Sequence, residues 1–278
     1  MTIRQFDKTI NLSNSGNLQM FFIGVGSAFS KNNYQTNLLL IKGEAHLLVD
    51  CGTLFSYAME KSYNTDICDI NNILITHAHA DHVGCLEELA LIGRYLKKQK
   101  LNCYITNEFK NKIWNKTLRG GLELNEGGIN YFDDYFNQIE PALLRKKPFE
   151  MYATSVGGID LKLFRTKHII TNGKYFQKSL YSIGMIIDDR ILFTSDTQFN
   201  KMQLDWILDN YNIEYIFHDC DVSGTAENVH ASYSQLKTLP QNIKAKMYLC
   251  HYNSAAEKVD SKKDGFAGFA KAGVYYEF

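Results

Sequence analysis

Three histidines and an aspartate fall within six residues of this chain: His77, His79, Asp81 and His82, in the string THAHADH. Imidazole nitrogen and carboxylate oxygen are the donors that suit zinc, iron and manganese. Four donors so close together cannot share one face of a helix or a strand. A loop that doubles back can aim them at one point. Three more candidate ligands each follow an apolar run: His168 after LKLFRTK, Asp196 after ILFTS and His251 after MYLC. A lone histidine is ordinarily structural. A dense cluster joined by three donors at predicted strand ends points to a metal centre.

The elements that must position these groups can be read from the periodicity. Residues 18–24, 37–41, 45–50 and 71–76 are short apolar runs cut by turn residues and read as strands. From Leu86 to Leu96 the apolar positions recur at helical spacing, and RYLKKQK ends the run with positive charge. Strands are predicted again at 101–106, 159–166, 181–187, 190–194, 213–217, 246–250 and 274–278, with helices at 205–211 and 232–238. The order strand, histidine loop, helix, strand places the loop at a strand's C-terminal edge, where α/β folds place their sites. Residues 107–151 break the rhythm. They read as an insertion with helical pieces at 108–117 and 131–139, packing over the site or over a partner subunit, or as an ordinary excursion in the core. His218 reads as structural, and His46 as a solvent-side strand residue.

Composition bounds the rest. The 278 residues are 45% hydrophobic, enough for one large folded domain spanning 1–278. Thirty basic and thirty acidic side chains cancel, which weighs against a protein that wraps long nucleic acid. A small phosphorylated ligand remains compatible. Six cysteines at 51, 68, 85, 103, 220 and 250 form no CxxC pair and suggest reduced thiols in a cytoplasmic protein. The N-terminus has no apolar signal region, and no run is long enough to span a membrane.

At THAHADHVG, LLVDCGT and FTSDT the chain resembles the metallo-β-lactamase superfamily, with Ser195 where that family usually has glycine. The resemblance runs from Phe22 to His251. It implies an α/β fold, an αββα sandwich of two mixed sheets with helices outside and two divalent metal ions at one edge. Zinc is the expected metal, with manganese, iron or nickel as alternatives. It further implies that His77, His79 and His168 hold the first ion and that Asp81, His82 and His251 hold the second. Asp196 would bridge them, with a water or hydroxide completing the bridge. His79 in place of an acidic residue separates the chain from the oxygen-reducing di-iron branch. Glyoxalase II and persulfide dioxygenase share the ligands.

The later segments IFHDCDVSG, NVHASYS and LCHYN, with the opening GVGSAFSKNNYQTN, look like the ribonuclease Z-type branch. There the histidine matching His230 contacts the scissile phosphate or protonates the leaving oxygen. Asp81, His230 and Asp219 are therefore the catalytic candidates, a helix cap being the plain alternative for His230. Only 28 positions separate His168 from Asp196, which leaves no room for the long arm of transfer-RNA-processing members. The expectation is a phosphodiesterase on a small nucleotide, as in the armless anti-Pycsar and related cyclic-nucleotide enzymes. Trp114, Tyr131, Phe132, Tyr135 and Phe136 could cover a base or build a homodimer contact. Lactone, thioester or amide hydrolysis, an RNA-cleaving nuclease and a non-catalytic binding module remain open.

Overall fold

A computed structural model describes residues 1–170 and 179–278. Its strands, in chain order, are β1 (Thr2–Gln5), β2 (Gln19–Gly24), β3 (Asn37–Lys42), β4 (Ala45–Val49), β5 (Asn72–Leu74), β6 (Leu101–Tyr104), β7 (Leu124–Asn125), β8 (Gly128–Ile129) and β9 (Phe136–Ile139). After the midpoint come β10 (Ala142–Arg145), β11 (Met151–Val156), β12 (Ile159–Arg165), β13 (Ile183–Ile187), β14 (Ile191–Phe193), β15 (Tyr215–Asp219), β16 (Met247–Cys250), β17 (Gly268–Phe269) and β18 (Val274–Glu277). One eight-stranded sheet has the order β1-β18-β2-β3-β4-β5-β6-β9 and a second has β10-β11-β12-β13-β14-β15-β16-β17.

The two sheets pack face to face. Phe22 on β2 meets Phe217 on β15 at 5.4 Å and Phe193 on β14 at 6.2 Å between ring centroids, so aromatic pairs lock one sheet to the other. A second apolar layer joins Leu192 and Ile216 to Leu204, Ile207 and Leu236 on the helices Lys201–Asn210 and Tyr233–Lys237, outside the second sheet. Strands β13 and β14 are buried at every residue. Covered on both faces, they read as unbroken apolar runs rather than alternating ones.

Strand direction explains where the donors gather. β4, β5 and β6 run parallel, and so do β14, β15 and β16. β12 reaches β14 through two antiparallel pairings and so points the same way. The C-terminal ends of β4, β5, β12, β14, β15 and β16 therefore meet at one edge of the sandwich, and those ends carry the candidate ligands.

Three expectations need correction. Residues 131–139 are not one helix: Phe132–Tyr135 is a single turn, and Phe136–Ile139 pairs in parallel with β6, where the open sheet edge offers ladder hydrogen bonds that a helix would forgo. The helix from Leu86 ends at Ile92 and continues as a wider π turn to Lys97. The strand expected at 213–217 lies at Tyr215–Asp219, which puts Asp219 on the strand itself.

The segment 107–151 supplies the edge strands β9 and β10 and the start of β11. Trp114, Phe132, Tyr135 and Phe136 belong to the central core and are no platform for a base, because the apolar ground between the sheet and the flanking helices consumes them. Tyr131 alone of the five is exposed. No helix among the described residues is long and apolar enough to cross a membrane.

Candidate metal centre and active site

The histidine loop begins two residues after β5. Its turn is fixed by backbone bonds, with the His82 and Val83 amides donating to the His79 carbonyl and the Cys51 amide donating to the His82 carbonyl. Three strand ends carry non-glycine residues in the left-handed region: Asp50 (φ 64°), Ser195 (φ 49°) and His251 (φ 58°). Each such residue costs of order 1 kcal/mol, and here the tight turns swing side chains toward the common edge. The Ser195 conformation explains why glycine suits this position.

The donors assemble into two groups. His77, His79, His168 and Asp196 offer ligand atoms that lie within 4.8 Å of one another, and so do Asp81, His82, His251 and Asp196. Asp196 belongs to both. Its Oδ2 is 3.6 Å from His77 Nε2, 3.9 Å from His168 Nε2 and 3.3 Å from His251 Nε2, while Oδ1 is 3.4 Å from His82 Nε2. His79 Nδ1 is 3.0 Å from His77 Nε2 and 3.3 Å from His168 Nε2. Donors about 2.0–2.1 Å from a tetrahedral ion sit about 3.3 Å apart, so these spacings fit the edges of a coordination shell. His82 Nε2 and Asp196 Oδ2 are buried without a hydrogen-bond partner among the described residues, a costly state that a cation relieves. The clusters thus fit a divalent metal site.

Protonation agrees with ligand duty at His77, His79 and His168. Burial holds His77 well below its ordinary value, and His79 and His168 below theirs, which keeps the imidazoles neutral and their lone pairs free. Burial would raise Asp196, but His251, His82 and His77 more than offset it and keep the carboxyl well below the usual range. Burial would lower His82, yet Asp196, Asp50 and Asp81 surround it and raise it well above. That negative field is also what a divalent cation would neutralise.

A third group, Asp196, Asp219 and His230, also lies within 4.8 Å. Here two members are committed to each other: His230 Nδ1 bonds Asp219 Oδ2 at 2.8 Å. Burial lowers the proton affinity of His230, but Asp219 outweighs it and lifts the pKa to about 9. The reading of His230 as a helix cap fails, because Ser232 caps the helix at 233–237 through Gln235. His230 and His251 line a cavity of about 480 Å³ together with loop 27–33, Asp221, Asn253 and Glu257.

The family model described as anti-Pycsar protein Apyc1 matches residues 18–276. The chain belongs to that family. It is 32% identical over 261 residues to the anti-Pycsar protein Apyc1 of Paenibacillus xerothermodurans, covering 94% of this chain and 98% of that one. Its structure resembles the metallo-β-lactamase fold protein YhfI from Bacillus subtilis, with TM-score 0.65 and 13% identity over 94% of this chain and 100% of the other. A diphosphatase of the PhnP family superposes with TM-score 0.67 and 12% identity over 94% and 98%. The αββα sandwich is thus a metallo-β-lactamase fold.

This Apyc1-family chain also uses residues that the sequence reading passed over. Asp50, from the LLVDCGT strand end, accepts from Thr76 N and Thr76 Oγ1 at 2.7 Å each and holds His82 Nδ1 at 2.7 Å. Thr36 Oγ1 meets His251 Nδ1 at 3.2 Å, and the Val229 carbonyl meets His168 Nδ1 at 2.9 Å. Such partners fix the ring and leave the other nitrogen for a metal. The strand-end aspartate was visible in the sequence; the threonine and the carbonyl carried no signal. His218 is buried, its Nδ1 2.7 Å from the Asp219 carbonyl, in keeping with a structural role. His46 is not on the solvent side. It is 7% exposed and its Nε2 accepts the Asn71 N–H at 3.1 Å, since the crossover before β5 packs over it.

Proposed function

We propose that this chain, a metal-dependent hydrolase, cleaves a phosphodiester bond of a small nucleotide, with a cyclic mononucleotide as the substrate class. One arrangement carries the reading: His230, held by Asp219 at 2.8 Å, opens on a cavity of about 480 Å³ beside the two donor clusters and outside the seven-residue set. The volume falls within the range of small-molecule sites, roughly 300–1,000 Å³. The anti-Pycsar name of its relatives and the armless His168–Asp196 spacing point the same way.

In this reading His77, His79, His168 and Asp196 would hold one divalent ion, and Asp81, His82, His251 and Asp196 would hold a second. Zinc suits the donors best, and manganese, iron or nickel fit as well. Bound ions would supply positive charge for phosphoryl oxygens and lower the pKa of water at the site. The chain's own residues do the rest. Asp50, Thr36 and the Val229 carbonyl fix the imidazoles. Asp81 and Asp196 would temper the charge of bound ions and keep the site electrophilic toward an anionic substrate. His230 carries a proton on Nε2, opposite the nitrogen bound to Asp219, and gives it to the departing ribose oxygen, which is a poor leaving group as an alkoxide.

A cytoplasmic location suits the six unpaired thiols, and a homodimer would cover Leu124, Ile129 and Tyr131, which are 71%, 65% and 62% exposed. Light scattering at micromolar concentration tests the dimer, and a mass near 32 kDa refutes it. The deciding assay loads the protein with zinc or manganese and offers a cyclic nucleotide, bis-p-nitrophenyl phosphate, a lactone and a thioester side by side. Turnover of the lactone or thioester alone rejects the phosphodiesterase reading.

A further inference from the structure

The cavity beside His230 has a second end, formed by loop 27–33 between β2 and β3. Phe29 on this loop is 90% exposed, and it is the one phenylalanine, tyrosine or tryptophan among the described residues lining the cavity. No packing requirement of the fold accounts for a phenyl ring left in water at that place.

The loop that carries it is firmly tied. The Ser30 amide donates to the Ser27 carbonyl at 2.9 Å, Gln35 Nε2 donates to the Ala28 carbonyl at 3.1 Å, and the Ser27 amide donates to the Tyr252 carbonyl at 3.1 Å. The last bond fastens the loop to the strand end that presents His251. Gly26 lets the loop fold back on itself, because a Cβ there would clash with Ser30 and the Tyr34 carbonyl. Phe29 is thus offered from a fixed backbone, which spares the ordering cost of a mobile loop.

The two ends of the cavity differ in what they welcome. A phosphate whose leaving oxygen lies at His230 occupies the histidine end. The ribose then separates it from the base and projects the base away from the donor clusters. Lys31 and Glu257 line the cavity with opposite charges, and a neutral base meets no net repulsion there. Asp221 is already committed, accepting from Ser223, Ala226 and Asn253.

We propose that Phe29 is the base-stacking residue of this site and makes it select an aromatic nucleobase over a bare sugar phosphate. The proposal rests on the phosphodiesterase reading for its substrate. Stacking of a base on an aromatic side chain predicts that Phe29→Ala raises KM for cyclic AMP about 5- to 150-fold and leaves kcat within about twofold. Phe29→Trp should restore KM, and the melting temperature of both variants should match wild type, since the ring packs on nothing.

An unchanged KM in Phe29→Ala, with wild type active, overturns the proposal and leaves the phosphodiesterase reading standing. If wild type does not hydrolyse cyclic AMP, that reading fails, and direct binding decides about Phe29. Fluorescence of Phe29→Trp quenched by adenosine monophosphate but not by ribose 5-phosphate supports stacking. Equal quenching by both, or none, overturns it.

Discussion

Replacing Asp219 by asparagine keeps the shape of the side chain and removes its charge. Asp219 Oδ2 takes His230 Nδ1 at 2.8 Å and the Thr197 N–H at 2.9 Å, and an amide oxygen can still accept from the backbone. Burial alone would lower the pKa of His230, and Asp219 is the main influence that lifts it to about 9. Without that carboxylate the main lift is lost, and a return to the ordinary 6.5 sets the scale of the effect. At pH 7.5 the protonated share of His230 then drops from nearly all to about a tenth. The whole gap from about 9 to 6.5 bounds the loss at about 300-fold. Asp219→Asn should therefore cost about 10- to 300-fold in kcat on a cyclic nucleotide, against roughly 10²–10⁴ for His230→Ala. With a p-nitrophenolate leaving group, which departs without a proton, both losses should be much smaller. The sign with pH is fixed: the protonated form works, so activity declines as pH rises through the His230 pKa, and in Asp219→Asn that decline should begin at lower pH. Kinetics on both substrates from pH 6 to 9, with melting curves as a folding control, measure all of this. Equal losses on both substrates, or an alkaline limb that does not move, would refute the acid role.

Asp196→Ala should fold yet lose metal and several powers of ten in activity, because one carboxylate faces His77, His82, His168 and His251 at 3.3–3.9 Å; turnover above about a tenth of wild type argues against its shared position. Ser195→Gly should stabilise the protein by about 1 kcal/mol, relieving a left-handed serine and a buried hydroxyl with no partner among the described residues, net of glycine's greater freedom when unfolded; a lower urea midpoint contradicts this. His46 gives an acid dependence. Burial holds its folded pKa below 6.5, with Asp69 opposing weakly, so above 6.5 both states are neutral and nothing changes. As pH falls through about 6.5 the unfolded chain takes a proton that the folded one resists, and stability is lost. His46→Gln should reduce the loss between pH 7.5 and 5.5 by up to about 1 kcal/mol in urea unfolding, and an identical loss in the variant removes His46 as the cause.

The sequence by itself determined the histidine and aspartate donors that fit a divalent metal, and the strands that carry them. THAHADH is local: residue type and spacing suffice to require a converging loop, and runs such as ILFTS and MYLC announce strands because both of their faces are buried. The metallo-β-lactamase sandwich followed from those motifs in their order. Tertiary structure decided the rest, wherever the partner is remote in the chain. Phe136–Ile139 became a strand only because β6 left an open edge, which no local pattern records. Asp50 holds His82 across 32 residues and His251 meets Thr36 across 215, pairings fixed by which strand ends share an edge. Trp114, Tyr131, Phe132, Tyr135 and Phe136 look alike in sequence, yet the core took four of these five and left Tyr131 in water. Phe29, silent in its loop, gained its place when the Ser27–Tyr252 bond brought that loop beside His251. Residue type and periodicity are encoded within a few residues, whereas the choice of neighbour is set by the packing of the whole chain.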